Sequence, residues 1–171
     1  MSGNLTINSN ATLDVVSGSN YNIALTGNWA NSGTFTARSG TVTFNGTNQT
    51  ISGSSNTTFY NLTKSVSSAD TLTFSITPTI TISNNTTLKG VSGNLLSLRS
   101  SSSGAQFTIG ISNTGTRDIE YVDVQDSNQT NATVIACSTG CTNSGNNTGW
   151  DFPQSAPSNL SGSPSTTSIA W

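Results

Sequence analysis

The chain has 171 residues, of which 30 are Ser, 29 are Thr and 21 are Asn, while only 7% are charged and the formal net charge is -2. Five Lys and Arg spread over this length cannot neutralise a run of phosphates, which argues against a nucleic-acid partner. No apolar run approaches the roughly 18 residues of a membrane span, and the absence of histidine excludes His-dependent catalysis and His-ligated metal sites.

Short runs with alternating β-branched and polar residues follow one another along the first half of the chain, separated by Gly, Asn and Ser clusters that are typical of turns. In residues 41–44, this alternation directs Val42 and Phe44 to one side and two threonines to the other. We expect the inward side to continue through Leu62, Phe74, Leu88 and Leu98. The runs are residues 4–7, 12–15, 22–25, 34–36, 41–44, 50–52, 59–63, 71–74 and 80–82.

An internal repeat favours a solenoid over a sandwich or a barrel. Residues 5–18 read LTINSNATLDVVSG and residues 80–93 read ITISNNTTLKGVSG, without a gap. The two copies begin 75 residues apart. Three turns within that interval would have about 25 residues each, a size that suits a coil of three strands. The sequence therefore predicts an all-β fold, a right-handed parallel β-helix of about five coils with a short C-terminal extension.

The composition changes near Ser155, where a stretch containing Pro and Ser begins. We expect the β-helix to occupy residues 1–153. Residues 154–171 are expected to form a linker and the truncated start of another module.

Four of the seven carboxylates lie close together in the sequence, at Asp118, Glu120, Asp123 and Asp126. Such a cluster could bind Ca²⁺, for which Asp123 and Asp126 are the candidates, or act as the paired acids of a β-helical polysaccharide hydrolase. Only Arg117 is a basic neighbour. Because Asp123 lies between two valines in the strand pattern, we expect its side chain to point to solvent. The pattern predicts a solvated surface, no catalytic residue and no cofactor.

Cys137 and Cys141 are separated by three residues. A metal site would need further ligands, and a redox pair normally has two intervening residues. We expect a small disulfide loop, which would form in an oxidising compartment and stabilise little because the loop is short.

Exposed aromatic and threonine side chains suggest two further sites. Trp29, which follows a Gly-Asn turn, is a candidate for stacking on a sugar ring, whereas Trp150 is expected to close the end of the core. Paired threonines could bind ice if they shared one uncharged face in successive coils, although ordinary β-propensity also explains them. These pairs are Thr34/Thr36, Thr41/Thr43, Thr71/Thr73 and Thr77/Thr79/Thr81.

Several segments resemble a known family. Residues 40–47 (GTVTFNGT), 49–53 (QTISG) and 59–63 (FYNLT) resemble the repeats of large bacterial surface proteins with adhesin-like β-helices. Residues 121–127 (YVDVQDS) and 145–152 (GNNTGWDF) resemble the last coils and closing motif of such arrays. Residues 156–171 are similar to the opening strands of a fibronectin type III domain.

The resemblance implies a non-enzymatic structural or adhesive segment of an extracellular or cell-surface bacterial protein: a stalk, an adhesin rod or a filament subunit. Its expected partners are cell-surface glycans or further copies of the chain, with no nucleic acid and no membrane insertion. A carbohydrate-binding module is the alternative, followed by a polysaccharide-degrading β-helix enzyme or an ice-binding face.

Overall fold

The computed structural model describes residues 1–137 and 139–152. The expected fibronectin-like segment, residues 154–171, lies outside the described residues. Within them the fold is all-β, and the pairing of the named strands is parallel throughout. No helix in the described ranges is long and apolar enough to cross a membrane.

Twenty strands, numbered in chain order, lie on three faces that the chain visits in turn. The first face contains β1 (Leu5–Ile7), β4 (Trp29–Asn31), β7 (Gln49–Gly53), β10 (Asp70–Phe74), β13 (Leu96–Ser100), β16 (Val122–Val124) and β19 (Thr142–Asn143). The second contains a four-stranded sheet of β8 (Thr57–Phe59), β11 (Ile80–Ile82), β14 (Phe107–Ile111) and β17 (Ser127–Gln129), preceded by β2 (Thr12–Asp14) and β5 (Thr34–Thr36), which pair as a separate two-stranded sheet. The third contains a five-stranded sheet of β3 (Ile23–Leu25), β6 (Thr41–Phe44), β9 (Asn61–Ser65), β12 (Thr86–Lys89) and β15 (Arg117–Glu120), followed by β18 (Ile135–Ala136) and β20 (Trp150–Asp151), which pair as another two-stranded sheet.

The predicted parallel β-helix is therefore confirmed, with about six coils where the sequence predicted about five. Coil length varies: Trp29 pairs with Ile51 on the first face, 22 residues later, whereas Asp70 pairs with Leu96, 26 residues later. Over the whole stack the separation of paired residues ranges from 15, between Ile135 and Trp150, to 31, between Thr86 and Arg117, so the expected 25-residue coil lies within the observed range.

The internal repeat does not correspond to a whole number of coils. Leu5 lies in register with Trp29, Trp29 with Ile51, and Ile51 with Phe74, so three coils end at residue 74. Ile80, the counterpart of Leu5 in the repeat, lies instead on the second face, in β11. The first copy thus turns from the first face to the second, and the second copy turns from the second face to the third. The repeat encodes a strand–turn–strand corner that is used at two different edges.

The core is a continuous column of inward side chains. Each residue that alternation assigned to the inside is buried, at no more than 2% exposure; they are Val42, Phe44, Leu62, Phe74, Leu88 and Leu98. Phe74 and Phe107 stack with ring centroids 4.4 Å apart. At the C-terminal end, Trp150 and Phe152 stack on each other and pack against the core, as expected of a closing motif. Burial of this column supplies the main stabilising free energy of the fold.

Asparagine side chains join successive coils at the corners. The Asn28 backbone N–H donates to Asn4 Oδ1 at 2.8 Å, and Thr50 N–H donates in turn to Asn28 Oδ1 at 2.8 Å. Four asparagines also adopt positive φ, which this residue tolerates better than most; they are Asn10, Asn20, Asn48 and Asn146. The asparagine content therefore serves the turns of the solenoid.

Candidate functional site

Asp118 and Glu120, the first two of the four clustered acids, form ion pairs at the surface. Lys89 on β12 lies beside Asp118 and Glu120 on β15, with its Nζ 3.1 Å and 3.0 Å from their carboxylates. Hydrogen bonds to Glu120 and Asp118 raise the pKa of Lys89. These two acids therefore share one lysine of the neighbouring strand on a partly exposed face.

The two calcium candidates each have separate protein partners. Asp123 lies on the outer side of β16, as expected, and pairs with Arg99 while accepting a 2.6 Å hydrogen bond from Ser144 Oγ. Its side chain is nevertheless only 17% exposed. In the parts of the chain that the structure describes, no three Asp, Glu, His or Cys side chains form a group that could hold a metal ion.

Asp126 is buried, with positive φ, at the corner that follows β16. Its Oδ1 accepts from Asn146 Nδ2 at 2.7 Å and its Oδ2 from Gly104 N–H at 3.0 Å. The hydrogen bond from Asn146, followed by that from Gly104, lowers the pKa of Asp126. The carboxylate thereby joins three successive corners of the rod.

The proposed glycan contact at Trp29 is wrong. Trp29 opens β4 and is 0% exposed, with its ring edge-on to Phe35 at 4.7 Å and to Phe59 at 5.1 Å between centroids. Strand alternation with Asn31, which is also buried, places the indole inside, so that the turn ends before this residue. Trp29 is a core residue and cannot stack on a sugar.

Cys137 and Cys141 are joined by a disulfide in the structure, with Cα atoms 6.0 Å apart. Cys137 is buried, and its backbone N–H donates to the Asp151 carbonyl at 2.9 Å. The bridge therefore lies beside the last coil.

The paired threonines are divided among the three faces. Thr71/Thr73 lie on the first, Thr79/Thr81 on the second and Thr41/Thr43 on the third. On the second face, however, outward residues stack in register across β8, β11, β14 and β17, and none of the residues in these four strands is charged. The stacked positions are Thr58, Thr81 and Gly110 in one column, with Thr108 and Asn128 in the next.

A buried lysine, which was not predicted from the sequence, is the most unusual chemical feature of the described residues. Lys64 on β9 is 0% exposed, and its Nζ lies 2.7 Å from Asp70 Oδ2, 3.1 Å from Gln49 Oε1 and 2.8 Å from the Gly46 carbonyl. We call these four residues the Lys64 cluster. The signal was available, since Lys64 has the same strand parity as the inward Leu62.

Asp70 completes the Lys64 cluster at the start of β10. Burial raises the pKa of this carboxyl, but hydrogen bonds from Asn48 N–H, Lys64 and Thr71 N–H outweigh it and leave the pKa lowered. A cavity of about 240 Å³ opens beside the cluster, lined by Gly46, Ser65 and Asp70 among others. The cluster therefore combines an amine, a carboxamide and a carboxylate away from bulk water.

No protein-family model, curated protein or solved structure matches this chain.

Proposed function

We propose that the chain is a non-enzymatic structural or adhesive segment of an extracellular bacterial surface protein, in which a stack of parallel coils holds distance and presents its outer faces. The observation that carries this proposal is the unbroken first face, where seven strands pair in parallel from β1 to β19. A rod of this kind resists extension and proteolysis because each coil is hydrogen-bonded to both neighbours. Its partners would be cell-surface glycans or further copies of the chain.

The polar outer faces support this proposal. Thr, Ser and Asn side chains cover the strands, so the rod stays hydrated with few charges. The segment after residue 153 would continue into a fibronectin type III module.

Limited proteolysis and bead adhesion together test the proposal. Under native conditions a non-specific protease should leave residues 5–151 intact. Beads coated with the protein should adhere to glycan-bearing surfaces or to one another. Rapid cleavage within the coils, or turnover of a polysaccharide by the purified protein, would contradict a structural role.

A second candidate function is supported by the second face. Its strands β8, β11, β14 and β17 carry no charge, and Thr58 and Thr81 stack in register about 4.8 Å apart, which forms a short array of methyl and hydroxyl groups. Such an array suits ordered water or ice. Thr81→Lys would place a charge in the array, while Thr71→Lys would place the same charge on the first face. If the array binds ice, only Thr81→Lys should abolish inhibition of ice recrystallisation; absence of inhibition by the unaltered protein rejects this candidate.

A further inference from the structure

The Lys64 cluster contains the components of an amide-forming reaction. Lys64 supplies an amine that is sequestered from solvent, and Gln49 supplies a carboxamide whose oxygen lies 3.1 Å from that amine. Asp70 supplies a carboxylate 2.7 Å from the same nitrogen. A nucleophile beside an electrophile and a proton acceptor is the arrangement that acyl transfer requires.

The carboxamide of Gln49 is held for attack. Its Oε1 accepts the Gly46 backbone N–H at 2.9 Å, and its Nε2 donates to the carbonyls of Leu25 at 3.2 Å and Gly27 at 2.5 Å. A fixed N–H at the carbonyl oxygen stabilises the negative charge that develops there in a tetrahedral intermediate. Gln49 is 1% exposed, so water competes poorly with the amine.

The donor at Gly46 is rigidly placed. A Cβ at this position would lie 1.8 Å from the carbonyl oxygen of Thr26, so only glycine allows the chain to approach the preceding coil here. The Gly46 N–H is thereby fixed relative to the Gln49 oxygen by backbone packing.

Asp70 is oriented to carry a proton. Its Oδ1 accepts the backbone N–H groups of Asn48 at 2.6 Å and Thr71 at 2.7 Å, which leaves Oδ2 directed to Lys64. Within the described residues, Oδ2 accepts no hydrogen bond from any other group. The pKa of Asp70 is lowered in the folded protein, so the protonated carboxyl is only a transient carrier; transfer of a proton from the ammonium to this oxygen nevertheless removes two buried charges at once.

We propose that Lys64 and Gln49 become joined by an intramolecular amide bond. The ammonium gives a proton to Asp70 Oδ2, and the Nζ lone pair attacks Cδ of Gln49. The new Nζ–Cδ bond forms as the Cδ–Nε2 bond breaks. Nζ loses two protons in all, and both end on Nε2, one of them by way of Asp70. The departing nitrogen therefore leaves through the adjacent cavity as one ammonium ion. No oxidant or external reactant is consumed.

The bond would close the third coil covalently. Gln49 lies on β7 of the first face and Lys64 on β9 of the third, with β8 between them. A ring through all three faces would keep this coil closed when the rod is pulled or its neighbours fray. This role is independent of what the outer faces bind.

Mass spectrometry of the denatured protein tests the proposal directly. We expect the intact mass to be lower by one ammonia than the disulfide-bonded sequence requires. Trypsin should fail to cut after residue 64. Chymotrypsin cleavage after Phe59 or Tyr60 should leave two pieces joined through residues 49 and 64. Detection of the linked pieces is essential to identify the cross-link, because cyclisation of an asparagine would lower the mass by one ammonia as well.

Two variants serve as controls, each checked for native circular dichroism. Lys64→Met lacks the amine and should show the full mass. Asp70→Asn keeps the amine and carboxamide without the proton carrier, and should form the link at least tenfold more slowly. An unaltered protein with full mass and a free amine at residue 64 would overturn the proposal. Loss of water with a link from residue 64 to residue 70 would overturn the assignment to Gln49.

Discussion

The indole of Trp29 meets the phenyl ring of Phe59, one coil further along the rod, at a centroid distance of 5.1 Å and an interplanar angle of 63°. Phe59 in turn lies edge-on to Phe44 at 6.2 Å. Edge-to-face contacts of this kind add about 0.5–1.5 kcal/mol to the free energy from buried area. The aromatic cluster therefore holds the second and third coils together.

Trp29→Ala should lower the free energy of unfolding by about 3–5 kcal/mol, because it leaves a large cavity among rings that cannot collapse to fill it. Trp29→Phe should cost less, since it keeps an aromatic ring and removes an indole N–H that has no hydrogen-bond partner in the described residues. Urea unfolding followed by circular dichroism measures both.

Tyr21→Ala provides the matched control. Tyr21 is 63% exposed, so its removal should change the stability by less than about 0.5 kcal/mol. Equal stabilities for Trp29→Ala and Tyr21→Ala would show that Trp29 is not a core residue.

The corner asparagines give a second prediction. Asn28→Ala removes the acceptor for Thr50 N–H at an exposed position, so we expect a loss of about 1 kcal/mol. Asn28→Asp retains an acceptor oxygen and should lose less. Thermal unfolding of the two variants at the same ionic strength makes the comparison, and a larger loss for Asn28→Asp than for Asn28→Ala would argue against the acceptor role.

Strand alternation predicted the core well because parity is a local property. Successive side chains of a strand point to opposite sides, so Val42 and Phe44 face inward while Thr41 and Thr43 face outward, whatever the length of the coil. The same rule, applied through Leu62, places Lys64 inside. Lysine is rarely buried in proteins, so the inward position of Lys64 was not expected from the sequence.

Register could not be predicted from the repeat. The number of residues between stacked positions depends on the length of each turn, and the turns differ from coil to coil. The similarity of residues 5–18 and 80–93 therefore located a corner rather than a coil. The partners of Lys64 were equally inaccessible, because Gln49, Lys64 and Asp70 meet only when the corners of neighbouring coils are in register.

Reduction of the disulfide should have a small and local effect. The loop from Cys137 to Cys141 is short, so loop-closure entropy amounts to about 2 kcal/mol at most. We expect a modest decrease in Tm on reduction and faster hydrogen exchange at residues 142–151. A variant with Cys137→Ser and Cys141→Ser should show no response to reductant. A loss of all β-structure on reduction would contradict this local role.

Asp126 should make the stability of the last coils dependent on pH. Its pKa is lowered in the folded protein by the donors Asn146 and Gly104, whereas in the unfolded chain it should be about 3.9. The carboxylate thus stabilises the fold fully above that value, and the contribution is lost as the pH falls through the lower folded pKa. The free energy of unfolding should decrease as the pH is lowered from about 5 to about 2.

Asp126→Asn is the suitable variant because asparagine accepts the positive φ. The difference in stability between the unaltered protein and Asp126→Asn, measured in urea at each pH, should be largest above about pH 4 and should shrink at the acidic end. A difference that stays constant over this range would show that the Asp126 carboxylate does not contribute through its charge.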